Sequence, residues 1–500
     1  MKLSEVFKNV EILESKGDLE VDITNITSDS RKIFEGGLFF AIKGFTLDGT
    51  KFIDSAVENG AVAVVVESDF DLANSKETIA YIKVENIRKT LALTACNLYD
   101  NPSKKLKVIG VTGTKGKTTS TFMIKSILEK HRFKVGLIGS IAVYIGDKEL
   151  EITDRTTPES FVIQKYLKQM VDEKVDIAIL EVSSQAMITD RVTGVEFDAC
   201  LFTNLTEDHI SPKEHKDMED YFNAKFSLMK IAPFIVTTLD NPYTARIPKL
   251  LPNTPIKTFG IKEKSDIMAK DLKPTNASTT YTLCMDGKES EIKVSVPGEY
   301  MVYNSLGAIG IASHFGATIE DFKNGLDNFK VFGRSELVPN KLGLTIMIDY
   351  AHTPSSLKSI LETVKPYTKG RVICTWGVGG DRDAAKRPIM GEISGTLADY
   401  TILTSDQVRT EDPEKILREI EAGLKKVTDQ YTVILNRTEA IRTAIKMATK
   451  DDIIVIPGLG NDLYIEYNGV KYPYDERVVI SNIVEELLGN QKREPKGYIF

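Results

Sequence analysis

Cysteine and histidine are scarce: four and five in 500 residues. Cys96, Cys200, Cys284 and Cys374 stand far apart with no paired spacing. That excludes a zinc-finger pattern and a disulfide framework, and it fits a reducing cytoplasm. No run of eighteen apolar residues occurs, so no membrane insertion is expected. The opening Met1-Lys2-Leu3-Ser4-Glu5 carries charge where a signal peptide has its apolar core. A basic surplus is missing too: the net charge is −7, which gives no footing for nucleic-acid binding. The stretch Gln491 to Lys496 reads as a solvated tail. There is no internal repeat and no low-complexity segment.

What is present is concentrated in residues 110–119, Gly-Val-Thr-Gly-Thr-Lys-Gly-Lys-Thr-Thr. The apolar run Leu106 to Val111 before it suits a buried strand. Phe122, Ile124, Ile127 and Leu128 after it suit a helix from Thr118 to Lys130. Strand, glycine-rich turn and helix follow in the order that a nucleoside-triphosphate site requires. Backbone N–H groups of Gly113, Thr114, Lys115, Gly116 and Thr119 can close around phosphate oxygens, helped by the positive end of the helix. Lys117 reaches the outer phosphates, and the Thr118 hydroxyl can hold Mg2+. Val111 stands where the strict pattern has a small residue, so the loop is a variant form.

Length suggests about three domains. The first hundred residues offer short strands (38–42, 62–66, 80–84) and end near Asn101-Pro102-Ser103, a natural linker. The second segment continues from the phosphate loop with apolar runs at 177–180, 199–203 and 235–238. Strands alternating with helices predict a parallel sheet covered on both faces. Residues 265–297 alternate polar and apolar, as antiparallel strands do. A third segment begins near Phe332-Gly333-Arg334, with strands expected at 345–350, 372–376, 400–404, 433–436 and 453–457. Glycine turns follow two of these strands, where ligands of open parallel sheets collect. The expected organisation is α/β in three domains. These are an α/β domain over 1–100, a central ATP-binding P-loop domain over 101–332, and a Rossmann-like domain over 333–500.

Three further groups fall at strand ends or on helices of the second segment. Glu181 closes the run 176–180, where a metal-binding acid of a P-loop enzyme would sit. His209 ends the polar cluster Thr203-Asn204-Leu205-Thr206-Glu207-Asp208-His209 and is a possible metal ligand. Lys225 lies in Tyr221-Phe222-Asn223-Ala224-Lys225-Phe226, on a helix.

In order, the chain shows Gly-Thr-x-Gly-Lys-Thr, Glu-Val-Ser-Ser, Phe-Thr-Asn-Leu-x-x-Asp-His, Phe-x-x-Ala-Lys, Gly-Arg-x-Glu, Asp-Tyr-Ala-His-x-Pro and Gly-Gly-Asp-Arg-Asp-x-x-Lys-Arg. This series resembles the Mur ligase family, ATP-dependent enzymes that join a carboxylate to an amine in peptidoglycan precursors. It is most similar to the family's MurE type, which adds a diamino acid to UDP-N-acetylmuramoyl-L-alanyl-D-glutamate. Thr27 to Arg31 and Gly36 to Ala41 resemble that type's UDP-binding signature, and Thr156-Thr157-Pro158-Glu159 its substrate loop.

The resemblance implies that Lys117 binds ATP phosphates and that Thr118 with Glu181 holds one Mg2+. It implies that His209 helps hold a second Mg2+ and that Lys225 carries a CO2-derived carbamate. Asn304, Arg334 and Asp349 would contact ATP, and Ser28 and Ser30 the UDP-sugar. Thr156, Thr157, Ser183, Thr189 and Arg191 would contact the muramoyl-dipeptide. Arg382, Asp406, Arg409, Gly458 and Asp462 would receive the incoming amino acid. It implies an acyl phosphate as the intermediate, a C-terminal domain that swings closed, and a monomer in the cytoplasm.

The chain departs from the MurE pattern at several positions. Lys115 replaces an Asn, Gln185 a His and Met301 an Asn, and the Asp and second His that usually follow the first are missing after His209. The usual Asp-Asn-Pro-Arg is Asp406-Gln407-Val408-Arg409, and the usual Gly-Lys-Gly-His-Glu is Gly458-Leu459-Gly460-Asn461-Asp462. Retained Arg409 favours meso-diaminopimelate over L-lysine, since a guanidinium pairs bidentately with a second carboxylate. The altered pocket leaves a related ligase as the alternative: MurF-like, a pseudomurein peptide ligase, or a polyglutamate or cyanophycin type. A catalytically degenerate paralogue is a further alternative. The intact Lys117, Thr118, Glu181, His209 and Lys225 argue against it.

Overall fold

The computed structural model describes residues 1–489 except 45–46, 75–77, 154, 208–209, 211–213, 276, 328, 330 and 332. Contacts divide the chain into two compact units. The first comprises Met1–Ile267 with Leu306–Asp321, and the second Met268–Ser305 with Phe322–Phe500.

The first unit opens with a five-stranded sheet in the order Glu14–Lys16, Ala80–Val84, Ala61–Glu67, Gly37–Phe40, Asn25–Thr27. Its first pairing is antiparallel and the rest are parallel. The strand Ala61–Glu67 is apolar almost throughout because both its faces are covered. Ala63 and Val65 join one core cluster, and Val64 and Val66 the other, as the two-residue period of a strand requires.

The larger sheet of this unit is centred on Lys107–Thr112, flanked by Ile177–Glu181 and Ala199–Phe202. Val135–Ile138 extends it on one side, and Ile235–Thr238 then Ile256–Gly260 on the other, all parallel. Beyond Val135–Ile138 the sheet departs from the parallel expectation. Ala142–Ile145 and Lys148–Ile152 add antiparallel strands. Residues 139–141, between Ile138 and Ala142, are too few for a helical crossover, so the chain turns back on itself.

In the second unit, Thr279–Met285 and Lys288–Val294 form an antiparallel hairpin closed by Asp286-Gly287. Both turn residues have positive φ, as a tight primed turn requires. The antiparallel reading of 265–297 is borne out over 279–294. The main sheet of this unit runs Glu336–Leu337, Thr345–Asp349, Ile453–Pro457, Val372–Trp376, Tyr400–Leu403, Tyr431–Val433. The first pairing is antiparallel and the others parallel. Alternating residues of Ile453–Pro457 again enter two cores, Ile453 and Val455 in one, Ile454 and Ile456 in the other. The edge strand sits earlier than its sequence suggests, over 431–433 rather than 433–436. Asn436 instead caps the helix Arg437–Met447, accepting from the Glu439 amide at 3.1 Å. A small hairpin, Tyr464–Tyr467 with Val470–Pro473, completes the unit. Among the described residues no helix is long and apolar enough to cross a membrane.

Candidate functional site

In the first unit the expected site residues gather at the carboxyl ends of Lys107–Thr112, Ile177–Glu181 and Ala199–Phe202. Residues 113–116 form the turn, and the helix Lys117–Lys130 follows. Gly113 has φ +145°, and a Cβ there would lie 1.9 Å from Thr203 Oγ1, so only glycine fits. The loop is strapped from the neighbouring strand end. Thr114 N donates to Asn204 O (2.9 Å), Lys115 N to Asn204 Oδ1 (3.0 Å), and Thr203 Oγ1 to Lys115 O (2.7 Å). Lys117 Nζ folds back onto Gly113 O (2.9 Å) and Thr114 O (3.0 Å). Its charge thus lies over the 113–116 turn, and Thr119 stands on the first turn of the helix.

Glu181 is not a solvated strand end: its residue is 1% exposed. Its carboxylate accepts from Thr118 Oγ1 at 3.0 Å, Ser140 N at 3.1 Å and Ser140 Oγ at 2.9 Å. Burial pushes its pKa up, and the Lys117 charge with the Ser140 and Thr118 donors opposes that shift. A buried carboxylate beside a hydroxyl, next to a cationic phosphate cradle, is a hard-oxygen donor set suited to Mg2+. Asp208 and His209 lie outside the described residues. Among the described residues, no group of three or more His, Cys, Asp and Glu side chains is arranged to hold a metal.

Lys225, on the helix Met218–Met229, is 2% exposed. Its Nζ donates to Gly113 O at 3.0 Å and lies 4.7 Å from the centre of the Tyr221 ring. A single carbonyl oxygen therefore accepts from both Lys117 and Lys225.

The substrate-loop residues meet the same strand end. Thr157 Oγ1 donates to the Glu181 carbonyl (2.9 Å) and accepts from Ser183 N (3.0 Å). Thr156 Oγ1 lies 3.1 Å from Ser140 Oγ, which accepts there because its own hydrogen goes to Glu181, and Arg191 Nη1 donates to Thr157 O (3.0 Å). Thr189 is turned to a local task, donating to Gln185 O at 2.6 Å. Ser28 and Ser30 form a separate group after the strand Asn25–Thr27. The Ser30 carbonyl there accepts from Asn59 Nδ2 at 3.0 Å.

His215 was missed in the sequence, where no second histidine directly follows His209. Its side chain is fully buried between Ser184 Oγ (2.9 Å from Nε2) and the Asp220 carboxylate (3.1 Å from Nδ1). Its position six residues before Tyr221 was the available signal.

In the second unit, Asp349 ends its strand and accepts from Ser335 N at 2.7 Å. Burial raises its pKa against the charge of Arg334. Arg334 lies over the Tyr350 ring, 4.9 Å from its centre. Ser335 Oγ is 3.0 Å from Tyr300 OH, and Asn304, buried, stands one helical turn beyond Tyr300.

Asp406, Gln407, Arg409, Gly458 and Asp462 come together after the strands Tyr400–Leu403 and Ile453–Pro457, which flank Val372–Trp376 in this unit's sheet. Asp406 Oδ1 accepts from Gln407 N (2.6 Å), while Oδ2 is buried without a hydrogen-bond partner, 3.7 Å from Arg437 Nη1. Gly458 has φ +126°, and a Cβ there would lie 2.2 Å from that Oδ2. Gln407 Nε2 donates to Asp462 Oδ2. Burial and the neighbouring Asp406 push the Asp462 pKa up, against the Gln407 bond. Arg409, at φ +52°, is held by Glu466 O (3.0 Å from its N) and donates from Nη1 to Gly380 O (2.7 Å). Arg382 is exposed just after Asp381, whose carboxylate accepts from Thr410 N at 3.1 Å. Beneath the pocket, Arg437 and Glu476 form a buried pair at 2.7 Å, also unforeseen.

Three family models match successive parts of the chain: the Mur ligase family, catalytic domain (22–99), the Mur ligase middle domain (111–312), and the Mur ligase, glutamate ligase domain (333–460). A Clostridium acetobutylicum protein named UDP-N-acetylmuramoyl-L-alanyl-D-glutamate–2,6-diaminopimelate ligase 1 is 44% identical, covering 97% of this chain and 100% of its own length. A Clostridium tetani protein named as the same type of ligase is 46% identical with the same coverage. A solved structure described as such a ligase superposes with a TM-score of 0.71 at 26% identity, over 98% of this chain and 99% of that one. The fold is shared with a MurF ligase from Thermotoga maritima in complex with ADP, with a TM-score of 0.58 at 20% identity over 88% and 94% of the two chains.

Proposed function

We infer the function from one premise: this chain belongs to the Mur ligase family. It is an ATP-dependent ligase of peptidoglycan synthesis, and it adds meso-diaminopimelate to UDP-N-acetylmuramoyl-L-alanyl-D-glutamate. The observation that carries this reading is the double use of Glu181. Its carboxylate meets Thr118 of the phosphate loop, and its carbonyl meets Thr157 of the substrate loop. On this reading a nucleotide's terminal phosphate and a substrate carboxylate would meet at one strand end.

A carboxylate resists attack by an amine because its oxygen leaves badly. Transfer of the γ-phosphoryl group makes an acyl phosphate, the amine attacks the acyl carbon, and phosphate departs. Lys117 steadies the charge on the transferred group, and Thr156, Thr157, Ser183 and Arg191 hold the acceptor end of the dipeptide. Thr118 and Glu181 would hold one Mg2+, and His209 with Lys225 a second, the ions supplying neutralisation of phosphate charge. Carbamylation suits Lys225: Nζ sheds a proton, bonds the carbon of CO2 and sheds a second, turning a cation into an anion. In the second unit Asp406 and Asp462 receive the ammonium of the incoming amino acid, and Arg409 its distal carboxylate. Arg382 is assigned to the same pocket. Asn304, Arg334 and Asp349 contact ATP, and Ser28 and Ser30 the UDP-sugar. Residues 1–100, 101–332 and 333–500 serve as the UDP-sugar, ATP and amino-acid domains of a cytoplasmic monomer.

The test is phosphate release from ATP with the UDP-muramoyl-dipeptide and a panel of amino acids. Stimulation by meso-diaminopimelate above L-lysine is expected. Release that no amino acid stimulates would overturn the ligase reading.

A further inference from the structure

His215 joins two elements that carry different parts of the proposed chemistry. Its Nε2 is 2.9 Å from the hydroxyl of Ser184, which starts the helix Ser184–Ile188 three residues after Glu181. Its Nδ1 is 3.1 Å from the carboxylate of Asp220, in the first turn of the helix that carries Lys225. A carboxylate there accepts, so Nδ1 bears a hydrogen. The ring also lies against Tyr221, with centres 4.8 Å apart, and Tyr221 in turn lies under the Lys225 ammonium. The imidazole is completely buried and has both nitrogens engaged. Its two bonds fix the orientation of the ring.

We propose that His215 is the positioning residue that sets Lys225 against the phosphate loop, by clamping the Lys225 helix to the strand end that carries Glu181. The proposal rests on the role given to Lys225 above. Without the clamp, the helix Met218–Met229 loses its polar tie to Ser184, and Nζ no longer has a fixed distance to Gly113 O. Lys117 keeps its own bonds to Gly113 and Thr114, so nucleotide binding persists. The clamp acts across elements through Nε2 alone, because Asp220 is only five residues from His215.

Three variants separate this role from simple packing. Glutamine places an amide near Nε2 and keeps the Ser184 bond. Asparagine keeps the Asp220 bond only, and leucine keeps neither. Full-length wild type, H215Q, H215N and H215L are compared by kcat, by KM for ATP, and by the carbamate signal in 13C NMR after addition of labelled bicarbonate. The expected result for H215L and H215N is a kcat lowered about a hundredfold, KM for ATP within twofold of wild type, and a lost carbamate signal. H215Q is expected to recover most of both. If H215L fails to fold, the contrast between H215Q and H215N still decides. Equal kcat and equal signal in H215Q and H215N would overturn the clamp. A wild-type protein with no carbamate signal would overturn both the clamp and the Lys225 reading, whereas signal in all variants overturns the clamp alone.

Discussion

Gln407 gives its side-chain amide to the carboxylate of Asp462, fifty-five residues further along the chain. Both depart from the MurE pattern, and in opposite senses. Gln407 is one methylene longer than the usual Asn, and Asp462 one shorter than the usual Glu. The two changes offset each other in length across this contact.

Reverting either residue alone therefore disturbs the pocket. Q407N and D462E are each expected to raise the KM for the amino acid about tenfold, and the double variant to return near wild type. Residues in direct contact typically couple by about 0.5–3 kcal/mol, which a double-mutant cycle on kcat/KM reads directly. Additive losses would show that the pair is not a unit. Because the Asp462 pKa is raised, affinity for the amine should improve as pH rises through that value, and D462N should flatten the profile.

Burial raises the Glu181 pKa, so the ionised form of this carboxylate carries a cost in the folded protein. The folded protein binds a proton there more tightly than the unfolded chain. Stability from this group is thus full below the ordinary carboxylate range and is lost as pH rises through the raised value. E181Q removes that cost, so the variant should melt higher than wild type at pH 7 without Mg2+ or nucleotide, and the difference should vanish near pH 4. Its kcat should fall on the order of a hundredfold or more, the scale of removing one preorganised electrostatic group. Differential scanning calorimetry at the two pH values checks the first part, and phosphate release the second.

Lys225 is proposed to act only after conversion to an anion. K225A should lose nearly all activity, and short carboxylates such as formate should restore part of it by filling the vacated space. ATP binding by K225A should stay close to wild type, as isothermal titration can show. Full activity in the alanine variant would remove the lysine from the mechanism.

Arg437 and Glu476 are each 1% exposed at the side chain and pair at 2.7 Å. Removing one partner strands the other in the core, at a typical cost of about 3–5 kcal/mol. R437M should lose that much by urea denaturation. Replacing both residues with well-packed apolar side chains should recover most of the stability. Asp406 is also beside Arg437, so the double variant should still bind the amino acid more weakly.

The sequence made the sheets legible where strands are buried on both faces: 177–181, 235–238, 372–376 and 453–457 stand within a residue of expectation. It hid the antiparallel edge at 142–152, because a short turn, not strand composition, decides direction. The edge strand at 431–433 was misplaced, since Asn436 serves as a helix cap rather than a strand residue. Lys117, Thr118 and Glu181 were legible because spacing to a glycine turn identifies them. His215, Arg437 and Glu476 were not, because Ser184 lies 31 residues from His215 and Arg437 lies 39 from Glu476, and a charged or aromatic polar residue reads as solvated until its burial is known. The Gln407–Asp462 contact shows the same limit: each departure was visible alone, and their compensation only in three dimensions.

The carbonyl of Gly113 takes a hydrogen bond from each of two lysines, and the residue that carries it admits no side chain. An inhibitor that competes for this oxygen would strike at a backbone atom, which no codon change can delete. Escape by substitution at the position itself is closed, because even alanine collides with Thr203. Resistance would have to arise from neighbouring residues that also hold the loop in shape, each at a loss of fitness.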